Sequence, residues 1–200
     1  RFARLLLFAT MCLMSASTLR ADLIAYYPFD EDSSDQSGNG NDGFDDGDAA
    51  PAGPNSGFVD GAYQFGGAGH VVVPIDINSA EYEQLTVTMW VKPDASIVNA
   101  PGLYKTFGHD DGGWDRTFGL DTREEGVFRY AAFTGGARPG PTPDTGTPVT
   151  SDWTFLAAVW DVEEFGDGTV TFYANQNSVE EVINDTPSAH FESAIGNLRP

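Results

Sequence analysis

The stretch LTVTMWVK, residues 85–92, alternates between two kinds of side chain with a period of two. Successive side chains of a β-strand point to opposite sides of the sheet, so this period is typical of a strand. One face would carry Leu85, Val87, Met89 and Val91, and the other Thr86, Thr88, Trp90 and Lys92. The stretch therefore predicts a β-strand with one fully apolar face.

Further β-prone runs lie on both sides of this strand and are separated by clusters of glycine, proline and aspartate. On the C-terminal side they cover residues 104–108, 117–120, 127–134, 153–161 and 169–174. The run 153–160 is apolar on both faces, which predicts a central strand. On the N-terminal side we predict a strand at 23–29, a long polar loop at 30–47, and a hairpin formed by 62–65 and 70–74.

The rest of the chain adds no competing element. The proline-rich stretch 138–148 has no periodicity and is predicted to be a surface loop. No amphipathic pattern of ten or more residues indicates a helix. Many short strands with glycine and proline turns predict an all-β fold, an antiparallel two-sheet jelly-roll sandwich.

The N-terminus has the organisation of a secretory signal peptide. Arg1 and Arg4 precede an apolar run over residues 5–14, and small residues follow at 15–17. We predict a signal peptide at 1–21, cleaved between 17 and 21, and a single domain at 22–200, secreted or held at the cell surface. The alternative is a first buried strand or helix. The one cysteine, Cys12, lies inside the predicted leader, so the domain would fold without disulfides.

The charge of the chain excludes some classes of partner. Thirty acidic side chains stand against ten basic ones, which gives a formal net charge of −20. Such a surface repels phosphate backbones and anionic lipids, so we expect no nucleic-acid binding and no membrane insertion after removal of the leader. Divalent cations, neutral glycans and basic proteins remain possible partners. The alternative is that the negative charge serves only to keep the protein soluble.

Three segments, in order, resemble the laminin G-like (LamG-like) modules of exported bacterial proteins, which have the concanavalin A-like lectin/glucanase jelly-roll fold. They are residues 23–30 with the loop 35–43, residues 62–65 with 85–93, and residues 153–161 with 170–175. The resemblance covers nearly all of 22–200. It also implies a closing strand beyond Leu198, so we expect this chain to lack that strand.

The polar loop after the first strand contains a candidate calcium site. Asp35, Ser37, Asn39 and Asp46 stand at offsets one, three, five and twelve, with Gly40 at offset six, as in calcium-binding loops. The family resemblance separately implies a structural calcium near this loop, held by a subset such as Asp35, Asn39 and Asn41. The alternative is a solvated loop of Asx-turns without a metal.

A second polar cluster, residues 109–116, joins two predicted strands. Carbohydrate-binding modules stack a sugar ring on an aromatic side chain and hydrogen-bond its hydroxyls to charged and amide groups. The candidate ligand-binding residues are Asp110, Asp111, Trp114, Asp115 and Arg116. The alternative is a structural turn in which Arg116 pairs with a neighbouring aspartate and Trp114 caps the core.

No catalytic constellation is evident in the sequence, and we predict that the protein is not an enzyme. Glucanases of this fold carry three acidic residues alternating along one strand, whereas Glu124-Glu125 and Glu163-Glu164 are adjacent pairs. We predict a non-catalytic extracellular recognition module that binds carbohydrate and is supported by a structural calcium, with an extracellular glycan or a cell-surface protein as partner. The alternatives are a structural or adhesive domain that binds proteins, and a remnant glycoside hydrolase.

Overall fold

The computed structural model describes residues 21–67, 69–98, 100–108, 116–121, 129–133, 144–163, 167–184 and 191–198. These residues form thirteen β-strands and no helix. The strands are β1 Phe44–Asp46, β2 Ala49–Pro51, β3 Tyr63–Phe65, β4 His70–Val73, β5 Gln84–Val91, β6 Leu103–Gly108, β7 Thr117–Asp121, β8 Arg129–Phe133, β9 Asp144–Pro148, β10 Thr154–Val162, β11 Asp167–Ala174, β12 Asn177–Asn184 and β13 Ser193–Leu198.

The strands form two main antiparallel sheets and a small third one. The seven-stranded sheet has the order β1-β4-β13-β6-β7-β8-β9, and the four-stranded sheet has the order β12-β11-β10-β5. Strands β2 and β3 pair separately as a two-stranded sheet. The predicted all-β, antiparallel jelly-roll sandwich is therefore confirmed.

The hydrophobic core lies between the two main sheets. Phe118 of the seven-stranded sheet contacts Phe172 of the four-stranded sheet, with ring centroids 5.5 Å apart, and lies 6.3 Å from the Trp160 ring. All three side chains are essentially excluded from solvent. Burial of large aromatic side chains is the main stabilising contribution that such an interface can supply without disulfides.

Strands β5 and β10 confirm the two clearest sequence predictions. Leu85 is buried in β5 while Thr86, Thr88 and Trp90 are exposed, as the alternating pattern predicts. Strand β10 lies between β11 and β5 and is buried along most of its length. The fully apolar run at 153–160 thus marks a central strand.

Several sequence predictions are wrong. Residues 62–65 and 70–74 do not form a hairpin, because β3 pairs with β2 and β4 pairs with β1 and β13. Residues 144–148 form β9 instead of a loop, and β1 lies inside the predicted polar loop. Polar residues occupy these short edge strands, so their sequences lack the apolar alternation that indicates a strand.

The predicted first strand at 23–29 is also wrong, since this segment has no strand pairing. Its backbone groups are used by the following loop instead: the Asn39 side chain donates hydrogen bonds to the carbonyl oxygens of Leu23 (2.6 Å) and Ile24 (2.9 Å). Residues 1–20 of the predicted leader lie outside the described residues. The described residues include no helix that could span a membrane.

Candidate functional site

The loop predicted to bind calcium is organised around the carboxylate of Asp35. Its Oδ1 accepts hydrogen bonds from the backbone N–H groups of Tyr26 (2.9 Å) and Ser37 (2.8 Å). Its Oδ2 accepts from the Ser37 hydroxyl (2.8 Å) and from the backbone N–H of Asn41 (3.0 Å). Asp35 thereby holds both ends of the loop and joins them to the segment 21–29.

These hydrogen bonds change the acidity of Asp35. Burial on its own would raise the pKa of this carboxyl group, because it disfavours the charged form. The hydrogen bonds donated by Tyr26, Ser37 and Asn41 outweigh burial and lower the pKa to about 2. The loop therefore contains a carboxylate that stays ionised far into the acidic range.

Of the five predicted calcium ligands, Asp35 is hydrogen-bonded to Ser37 and Asn41, and the backbone N–H of Asn39 donates to the Ser37 hydroxyl. A carboxylate offers about four lone-pair positions, and those of Asp35 already accept four hydrogen bonds. Asp46 lies at the end of β1, where its carboxylate is 3.6 Å from His70. Among the described residues, no three acidic, histidine or cysteine side chains are grouped to hold a metal. Calcium binding stays a prediction.

Of the predicted sugar-binding residues, the structure describes only Arg116. Asp110, Asp111, Trp114 and Asp115 lie outside the described residues. Arg116 is 1 % exposed, and its guanidinium carbon lies 5.9 Å from the centroid of the Trp160 ring. This cation–π geometry places Arg116 in the interior beside the central strand. The ligand-binding role of the loop stays a prediction.

The outward face of the four-stranded sheet carries a second group of candidate residues, which sequence analysis did not single out. In β5 and β10, Trp90 lies directly opposite Phe155, with ring centroids 5.4 Å apart. Tyr173 of β11 lies on the same face, opposite the small residue Ala157. Trp90 is 41 % exposed and Tyr173 is 37 % exposed. Large aromatic side chains so open to solvent indicate an interaction surface.

Phe58 completes this group from outside the sheet. Its ring stacks on Trp90 with centroids 3.7 Å apart and an interplanar angle of 12°, and Phe58 itself is 52 % exposed. The tight loop that carries Phe58 needs glycine, because a Cβ at Gly57 would collide with the backbone of Gly61. Phe58, Trp90, Phe155 and Tyr173 are called the outer aromatic face below.

Polar groups continue the same face beyond the aromatic rings. Thr86 and Thr88 follow along β5 in line with Trp90, and Thr171 follows along β11 in line with Tyr173. Two carboxylates lie further along. Gln84 Nε2 donates to Asp161 Oδ1 (3.0 Å), and the Thr171 hydroxyl donates to Glu180 Oε2 (3.5 Å). Aromatic rings can pack against polyhydroxylated ligands, and hydroxyls and carboxylates can hydrogen-bond to them.

Part of this face could be predicted from the sequence. The alternation of residues 85–92 placed Thr86, Thr88 and Trp90 together on the side away from the apolar face. An exposed tryptophan on that side was the available indication of a binding surface. Phe58 gave no indication, because its contact with Trp90 joins residues 32 positions apart through an irregular loop.

A family model described as Laminin_G_3, Concanavalin A-like lectin/glucanases superfamily, matches residues 65–198, more than half of the chain. A search of curated proteins found no significant match.

Solved structures with a similar fold include binding domains of botulinum neurotoxins. The binding domain of botulinum neurotoxin DC in complex with SialylT has a TM-score of 0.54 and 14 % sequence identity, over 83 % of this chain and 40 % of that one. A second structure is of botulinum neurotoxin type C, whose cell entry is dependent upon interaction with two ganglioside molecules. It has a TM-score of 0.53 and 15 % sequence identity, over 83 % of this chain and 40 % of that one. The chain spans about two fifths of the length of these structures. At this low sequence identity, the similarity to these structures shows a shared fold and nothing about function.

Proposed function

Because the chain belongs to the Laminin_G_3 family of the concanavalin A-like lectin/glucanases superfamily, we propose that it is a non-catalytic extracellular recognition module that binds glycans. The single observation that carries this proposal is the outer aromatic face. Phe58 and Trp90 are stacked and half exposed on a sheet whose other side forms the core. Sugar rings present apolar C–H faces that pack on such rings, and their hydroxyls hydrogen-bond to neighbouring polar groups.

The similar structures support a binding role by analogy. One of them is in complex with SialylT, another depends for cell entry on interaction with two ganglioside molecules, and a third is in complex with rat synaptotagmin II, a protein. One fold carries many functions, so the analogy supports recognition in general, and the choice of a glycan rests on the aromatic face. The extracellular location rests on the predicted leader.

Replacing Trp90 with alanine is expected to weaken glycan binding by roughly tenfold or more, since covering a large apolar side chain contributes about 1.5–3 kcal/mol and each 1.4 kcal/mol is about tenfold in affinity. The measurement is affinity electrophoresis of the domain in gels that contain polysaccharides, followed by titration calorimetry on the ligands that retard it. Phe191→Ala is the matched control, because Phe191 is 75 % exposed and lies outside the four-stranded sheet.

Three further outcomes separate the alternatives. Loss of binding in Trp114→Ala with normal binding in Trp90→Ala would move the site to the loop 109–116 and overturn the assignment to the outer aromatic face. Binding to none of the polysaccharides would contradict the glycan proposal and favour the structural or adhesive role. Release of reducing sugars from a bound polysaccharide would contradict the non-catalytic role and favour a glycoside hydrolase.

Structural calcium is a separate proposal, supported by the spacing of Asp35, Ser37, Asn39 and Asp46 and by the family resemblance. If calcium binds the folded domain, the melting temperature must rise with calcium concentration, because a ligand selective for the folded state stabilises it. We expect a saturable rise in millimolar calcium that a chelator reverses, with no rise in equal magnesium. A melting temperature that calcium does not change would contradict the proposal.

A further inference from the structure

We infer that the outer aromatic face binds an uncharged, extended polysaccharide chain in preference to an anionic one. This inference rests on the proposed glycan-binding function and adds the class of ligand. It is carried by the charges and the hydrogen bonds of the side chains that surround the aromatic rings.

The charged groups on this face are acidic. Among the described side chains of β5, β10, β11 and β12, the charged ones that face outward are Asp161 and Glu180. Lys92 follows one residue beyond β5 and is exposed, which leaves the face with a net negative charge. The whole chain adds a field of the same sign, with a net charge of −20. A carboxylated or sulfated chain would be repelled at long range and on contact.

The acidic groups are suited to neutral hydroxyls. Asp161 accepts one hydrogen bond from Gln84, and Glu180 accepts one from Thr171. An ionised carboxylate accepts at about four positions, so each group can accept further hydrogen bonds at the exposed side. Sugar hydroxyls donate such bonds, and bonds to a charged acceptor are stronger than neutral ones. Carboxylate or sulfate groups on a ligand donate none.

The dimensions of the face favour a chain over a single sugar. Trp90 and Gln84 are six residues apart on β5, which corresponds to about 20 Å at the usual rise of a strand. Tyr173 and Glu180 extend the face sideways to β11 and β12. Aromatic rings lie at one end of this surface and carboxylates at the other. A ligand that uses both ends must span several sugar rings.

The test compares neutral polysaccharides with derivatives of the same backbone that carry charge. The probes are β-1,3-glucan, β-1,4-glucan, mannan and xylan, each against its carboxymethylated or sulfated form. At 20 mM salt we expect each neutral ligand to bind at least tenfold more tightly than its derivative. At 500 mM salt the difference is expected to narrow, because the Debye length falls from roughly 20 Å to below about 5 Å.

Two charge variants assign the discrimination to this face. The double variant Asp161→Asn, Glu180→Gln is expected to bind the charged derivatives several-fold better at low salt. It should bind the neutral ligands several-fold less tightly, because an amide oxygen accepts weaker hydrogen bonds from sugar hydroxyls than a carboxylate does. The control, Asp22→Asn with Glu192→Gln, removes the same charge from exposed positions outside the four strands and should change neither.

The outcomes separate this inference from the proposed function. Tighter binding of a charged derivative than of its neutral parent would overturn the inference while leaving glycan recognition in place. Equal effects of the double variant and its control would also overturn it, since the discrimination would then come from the net charge alone. Binding to no member of either series would overturn both.

Discussion

Replacing Trp160 by alanine is expected to lower the free energy of unfolding by about 3–5 kcal/mol, the largest stability effect predicted for this protein. The Trp160 side chain is fully buried in the central strand β10, between Leu85 of β5 and Val170 of β11. Its removal would leave a cavity between the two sheets and take away the ring that faces the Arg116 guanidinium. A buried charge that loses such a partner adds to the cost.

Urea denaturation monitored by circular dichroism measures this effect. Trp90→Ala is the matched control on the neighbouring strand, and it should cost far less because Trp90 is 41 % exposed. Equal losses for the two variants would contradict the assignment of the inner and outer faces of the four-stranded sheet.

Asp35→Ala is expected to lower the free energy of unfolding by about 2–4 kcal/mol. Hydrogen bonds to a charged group contribute about 1.5–3 kcal/mol each, and water entering the space left by the side chain replaces part of what is lost. The donors of Tyr26, Ser37 and Asn41 would lose their acceptor, and the loop would separate from the segment 21–29. Asp46→Ala is the control. Asp46 is exposed and shares the predicted calcium spacing with Asp35, but takes no part in these hydrogen bonds.

The same carboxylate makes stability depend on pH. The folded-state pKa of Asp35 is about 2, below the value near 4 of an unfolded chain. The unfolded state therefore binds a proton first, so the contribution of Asp35 is complete above pH 4 and is lost as the pH falls from about 4 to 2. Chemical denaturation at several pH values should show a smaller loss over this window for Asp35→Ala than for the parent. An unchanged slope would contradict the assigned hydrogen bonds.

The sequence predicted the elements that obey one simple period. Strand β5 alternates because only one of its faces meets the core, and β10 is continuously apolar because it is central and largely covered. Both patterns follow from burial alone, so they can be recognised without knowing the partner strand.

Elements that depend on distant partners could not be predicted in this way. Residues 23–29 have the composition of a strand, yet their backbone groups are taken by side chains of Asn39, Asn41 and Asp35. The motif at 62–65 and 70–74 suggested a hairpin because a glycine turn lies between the two runs. In the fold, β4 pairs with β13, which is distant in the sequence, so the hairpin does not form.

The same distinction between local patterns and distant partners applies to the candidate site residues. The loop at 35–41 was singled out by its residue types, but the same short oxygen-bearing side chains serve metal binding and hydrogen-bonded turns equally well. The sequence alone therefore leaves both uses open. The outer aromatic face arises from strand register and from the placement of Phe58 over Trp90, which no local pattern contains.

The proposed function places glycan recognition at the outer aromatic face. Its most direct test is a nitrogen–proton correlation spectrum recorded while the domain is titrated with a neutral polysaccharide fragment that it binds. We expect the Trp90 indole signal and the backbone amides around Phe155 and Tyr173 to shift and saturate together, while the Trp160 indole stays in place. Shifts confined to residues 109–116, with Trp90 unmoved, would contradict it.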